Sequence, residues 1–180
     1  MKNKTDIIET TKDINEKLIR EYMEECRSNA MKHIDKLCMS QKIAFDSDDK
    51  DMDPGTCFKD IKIKFKNDEE MDWGGMFACR WCYKKDRASL SLHINKCGFI
   101  GKDYGYLFSV VSHEMAHYTD YVACRRGHHD LMFIHTWAVL SDFTIDVDME
   151  VFGYMRPTEA AIDVDWIDYK KVCYNEFEDE

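Results

Sequence analysis

His113-Glu114-Met115-Ala116-His117 places two histidines four residues apart with a glutamate beside the first. On a helix, positions i and i+4 share a face, so both imidazoles can address one Zn²⁺ while the glutamate reaches a water on that ion. This spacing points to metal-assisted hydrolysis. In a chain of this composition a chance match has a probability of roughly 0.02. Five of the seven histidines, His113, His117, His128, His129 and His135, crowd into the same stretch.

Outward from the motif, apolar residues at helical spacing run from Tyr106 to about Cys124, and Asp130 to Leu140 predicts another helix with Phe133, Trp137 and Leu140 on one side. Upstream, Gly98, Gly101 and Gly105 interrupt the chain. Before them, Ile61, Ile63 and Phe65 alternate with Lys62, Lys64 and Lys66, the signature of a half-buried strand. Met76 to Tyr83, entered through Gly74-Gly75, and Ala88 to Ile94 are two further strands. Residues 12 to 40 read as an N-terminal helix that Thr10 or Thr11 would cap, and Asp46 to Gly55 reads as an acidic linker. Thr144 to Asp148 is strand-like, and Asp163 to Val172 is a short helix. The expected class is α+β.

A catalytic zinc ion takes three protein ligands, so two histidines require a third. Asp120 and Ala123 stand where a glycine-turn metalloprotease would carry Gly and His, and neither Glu150 nor Glu159 has a convincing helical context. His128 and His129 remain, at the end of the loop after the motif helix.

Here the arrangement resembles the SprT-like metalloproteases, in which a helix, a small sheet and a His-Glu-x-x-His helix precede a loop ending in a histidine, with Phe or Trp four residues later. His113, Glu114, His117, His129 and Phe133 carry the resemblance, which covers roughly residues 10 to 140. It implies a zincin-like core with a small three-stranded, mostly antiparallel sheet, and a following helix carrying the third ligand. It also implies one catalytic Zn²⁺ on His113, His117 and His129, with Glu114 as general base in a zinc-dependent endopeptidase. Asp120, three residues past His117, is a candidate for orienting a ligand imidazole, or else a solvent-facing carboxylate.

Composition sets the frame. Of 180 residues 44% are hydrophobic and 13% aromatic, too many for a disordered chain. The net charge of −10 is concentrated in residues 142 to 180, where 12 acidic side chains face 3 basic ones, leaving −1 for residues 1 to 141. This divides the chain into a metalloprotease domain, 1–141, and an acidic C-terminal segment, 142–180. Its eight cysteines are scattered, with no apolar leader and no membrane-length run, so reduced thiols in a cytoplasm are expected. Cys79-Arg-Trp-Cys82 lacks the second pair a zinc knuckle needs and reads as strand thiols. His33 and His93 read as structural, and His135 as part of a helix face.

The expected partner is a protein or peptide substrate. Lys62, Lys64, Lys66, the Arg80 to Arg87 stretch and Arg125-Arg126 outline a basic rim where nucleic acid could bind, although alternating lysine more commonly marks a solvated strand face. Two other functions fit the motif: a non-catalytic zinc-binding interaction module, against which Glu114 argues, and a hydrolase of non-protein amides. An active-site cleft beside a sheet edge would favour a peptide substrate over the latter.

Overall fold

The structure, a computed structural model, describes residues 3–37, 39–45, 57–71, 73–84, 87–124, 129, 131–142, 145–147 and 160–162. Among these residues it is mixed α+β, with four helices and a three-stranded sheet. The expected linker at 46–55 and helix at 163–172 lie outside the described residues, as does most of 142–180.

Helix α1 (Glu16–Lys32) begins at Asn15, whose side chain accepts the Leu18 N–H, while Thr10 stands before a short 3-10 turn, Thr11–Asp13. Leu18, Ile19, Tyr22, Met23, Cys26 and Ala30 form its buried stripe. The single helix expected to run to residue 40 ends instead at His33. A 3-10 turn, Ile34–Lys36, and the short α2 (Met39–Ile43) follow.

The sheet comprises β1 (Lys62–Lys66), β2 (Gly75–Cys82) and β3 (Arg87–Asn95), in the order β1-β3-β2. β2 and β3 form an antiparallel hairpin, but β1 pairs with β3 in parallel. The sheet is therefore mixed, which corrects the mostly antiparallel expectation. The cause is the 67–74 connection, which crosses the end of β3 before the hairpin starts. Fully buried Asn95 fastens it there. Its Oδ1 accepts the Asp68 N–H at 3.1 Å, its Nδ2 donates to the Asp68 carbonyl at 2.8 Å, and its N–H donates to the Gly74 carbonyl at 2.9 Å.

Register sorts the side chains onto two faces. Ile63, Phe65, Phe77, Leu90, Leu92 and Ile94 share the face that belongs to the core, and Lys62, Lys64, Lys66 and Arg80 share the opposite one with Ser91 and His93. Helix α3 (Tyr104–Cys124) is buried nearly all round and contacts α1, α2, β2 and α4 (Leu131–Ser141). Tyr118 anchors its centre, with Phe45, Phe58 and Phe77 at ring separations of 5.9 to 6.3 Å and its hydroxyl donating to the Ala44 carbonyl. Two three-residue strands, β4 (Ile145–Val147) and β5 (Ala160–Ile162), pair antiparallel and contact α4. No described helix is long and apolar enough to cross a membrane.

Candidate metal centre

Helix α3 supplies His113, Glu114 and His117 from one stretch, as the four-residue spacing requires. His129 joins them from just before α4. The His117 and His129 Nε2 atoms lie 2.9 Å apart, and the ligand nitrogens of all three histidines fall within 4.8 Å of one another. A tetrahedral zinc with Zn–N bonds near 2.1 Å holds its ligand nitrogens about 3.4 Å apart, a spacing this set brackets. Among the described residues this is the one cluster able to hold a metal ion. His128 lies outside them.

The imidazoles are electrically suited to a cation. Burial, then the neighbouring His117 and His129, lowers His113 to about 3. Burial, then His129, lowers His117 to about 4. Both rings are thus neutral at pH 7 and present lone pairs.

Phe133 forms the base of the cluster. Fully buried on α4, its ring centre lies 5.0 Å from His113, 4.4 Å from His117 and 4.8 Å from His129. One turn later Trp137 meets His113 edge to face at 4.9 Å, and its indole N–H donates to Ser112 Oγ. The sequence places Trp137 on the same helix side as Phe133, and that i+4 relation is the available signal of a second supporting ring.

Glu114 is only 7% exposed, and its Oε2 accepts the Phe77 backbone N–H at 2.6 Å. Burial raises its carboxyl to about 7, against the opposing pull of that hydrogen bond. A carboxyl poised near neutrality beside the neutral imidazoles of His113 and His117 has the affinity for a proton that a general base needs.

A cleft of about 470 Å³ separates this group from β2. The three histidines, Glu114 and Tyr121 line it from the helical side, and Gly75, Phe77 and Cys79 from the strand. Among the described residues β2 is an edge strand, so the cleft runs along backbone with no strand partner, where Glu114 already holds the Phe77 N–H. Tyr121, one turn beyond His117, is hydrogen-bonded to Cys79, and burial is the main reason its hydroxyl is pushed up to about 12.

Other candidates settle elsewhere. Asp120 is buried and receives a hydrogen bond from Gln41, which also donates to Thr136, so it is not a solvent-facing carboxylate. His135 donates to the Lys36 carbonyl, His33 pairs with Asp142, and His93 pairs with Ser91. Cys79 and Cys97 are free thiols. Arg125 and Arg126 lie outside the described residues. Comparison of the chain with known protein families, curated proteins and solved structures finds no match in any of the three.

Proposed function

We propose that the chain is a zinc-dependent endopeptidase with a SprT-like, zincin-type core, cleaving protein or peptide substrates. The observation that carries this reading is Glu114. It belongs to no ligand set, yet it is buried beside the three clustered histidines, at a position where ionisation is costly in the metal-free fold. A module that merely held zinc has no use for such a group.

His113, His117 and His129 are the residues that would hold one Zn²⁺. When bound, the ion would act as a Lewis acid, lowering the pKa of water and polarising a carbonyl oxygen. Glu114 takes a proton from the attacking water and returns it to the leaving amine. Phe133 and Trp137 keep the imidazoles in place, and the core beneath them excludes bulk water. The edge of β2 favours an extended peptide over a compact amide, because backbone groups along the cleft can pair with a substrate strand. The free thiols of Cys26, Cys57, Cys79 and Cys97 suit a reducing, cytoplasmic setting.

The test is Glu114→Gln assayed on an unfolded protein substrate. Zinc content equal to the wild type with cleavage lost supports the endopeptidase; undiminished cleavage, or a wild type that binds zinc and cuts nothing, rejects it in favour of another role for the metal.

A further inference from the structure

We propose that Gly75 and the Phe77 amide of β2 are the positioning device for Glu114, so that the orientation of the base is set by a strand edge as well as by its own helix. This rests on the reading of Glu114 as general base.

The first observation is hydrogen-bond parity. The Asn95 N–H donates to the Gly74 carbonyl, so Gly74 faces β3, and in an antiparallel ladder Gly75, Phe77 and Cys79 turn their backbone groups the other way, along the free edge. An outward N–H needs water or a partner. For Phe77 that partner is Glu114 Oε2 at 2.6 Å.

The second observation is depth. A β-carbon placed on Gly75 would sit 2.6 Å from Val110 Cγ1 and 3.1 Å from Glu114 Cγ, closer than side chains pack. Gly75 does not have the positive φ seen at Gly101, so approach to the helix, rather than backbone conformation, excludes a side chain there. The atoms it would strike belong to Val110 and Glu114, four residues apart on one face of α3 and next to the ligand histidines. Two residues along the strand, the Phe77 ring packs on Tyr118 and Tyr121, with centres 5.9 and 6.2 Å away. β2 is thus pressed onto α3 where a side chain is missing and held there by the next inward ring, which brings the Phe77 N–H to the carboxylate.

A methyl group at position 75 lifts this part of the strand and takes the amide out of hydrogen-bonding range. Misplacement of a reacting group by about 1 Å costs on the order of a hundredfold in rate. The three atoms nearest the methyl belong to Val110 and Glu114 and to no metal-ligand side chain, so zinc content is expected to be unchanged.

The experiment uses the full chain in two arms. In amide NMR of the metal-free protein, the Phe77 proton is expected far downfield and slow to exchange, moving upfield and losing protection in both Gly75→Ala and Glu114→Gln. In the zinc-loaded protein, Gly75→Ala is expected to lower kcat at least tenfold with KM and zinc content unchanged, and Gly75→Ala with Val110→Ala is expected to regain the Phe77 signal and most of kcat. A Phe77 amide indifferent to Glu114→Gln, a Gly75→Ala variant with wild-type kcat, or a kcat loss that merely follows zinc loss would each overturn the proposal. If the wild type shows no Glu114-dependent cleavage, the protease reading fails and with it the catalytic purpose assigned to the contact, while the NMR arm still decides its geometry. Loss of cleavage in Glu114→Gln with no effect at Gly75 leaves the protease standing and removes the strand.

Discussion

Replacing Glu114 by glutamine should make the metal-free protein more stable while abolishing cleavage. The carboxyl group ionises at 4.5 when unperturbed and at about 7 in the fold, because burial disfavours its charged form. At 1.36 kcal/mol per pH unit, the ionised side chain opposes folding by about 3 kcal/mol once the pH exceeds 7. The sign follows from proton uptake. Between 4.5 and 7 the folded state binds more protons than the unfolded chain, so this group's cost is absent below 4.5, grows through that window and levels off above it. Glutamine carries no charge, and as a neutral acceptor it holds the Phe77 N–H more weakly than the carboxylate does. For a chain of this length about 3 kcal/mol corresponds to roughly 6–12 °C in Tm. Thermal unfolding of both proteins in chelator, from pH 4.5 to 8, reads the difference directly, and adding zinc should shrink it because a nearby cation favours the carboxylate. A Tm difference that is flat across this range, or a mutant less stable at pH 8, would refute the reasoning.

His129→Ala should purify without zinc and His128→Ala with it; the opposite metal contents would transfer the third ligand to His128. Because the folded-state imidazoles of His113 and His117 stay neutral down to about 3 and 4, zinc retention should persist to near pH 5, whereas the metal-free fold loses stability as soon as the pH falls below 6.5, where the unfolded chain takes up more protons. Equilibrium dialysis showing a release midpoint near 6.5 would contradict this. Phe133→Ala, which removes a fully buried ring touching all three histidines, should cost about 3–5 kcal/mol in chemical denaturation and weaken zinc binding as well. Asn95→Ala should cost about 1–3 kcal/mol by leaving the Asp68 N–H and carbonyl without their buried partner, and a neutral result would mean the crossing connection is held by other contacts.

What could be read in advance had a local period. The four-residue step of His113 and His117 needs only that the segment be helical, and the alternation at 61–66 and 88–94 needs only one buried sheet face. Even the approach of His129 follows from a short connection between two helices. The features that escaped have no period. The parallel placement of β1 depends on one asparagine bonding twice to Asp68, a contact that nothing in the spacing of Asn95 announces. Gly74-Gly75 reads in sequence as the entry to a strand from Met76, yet Gly75 is already its first residue, and its missing side chain matters for what lies across the interface. Asp120 falls on the expected helix, but its burial against Gln41 is set by α2, whose position the sequence pattern merged into a longer helix.

The site is assembled from three elements, and each answers a different need. A metal-holding trio needs only α3 and the start of α4, and two of its members come from adjacent turns of a single helix. Glu114 makes its hydrogen bond to neither of these elements: its acceptor oxygen reaches across the cleft to β2. A carboxylate buried on its own helix would relieve its desolvation most simply by turning to solvent or by protonating. Here it is kept inside by an amide that cannot be removed without moving a strand, which is itself fixed by the hairpin to β3 and, through Asn95, to the connection from β1. The order of dependence therefore runs from the sheet to the base: perturbations at Asn95, which touches no histidine but binds Gly74 beside Gly75, should reach kcat through β2 while leaving zinc content intact. A kinetic split of that kind in Asn95→Ala would separate a sheet that serves the base from one that only completes the core.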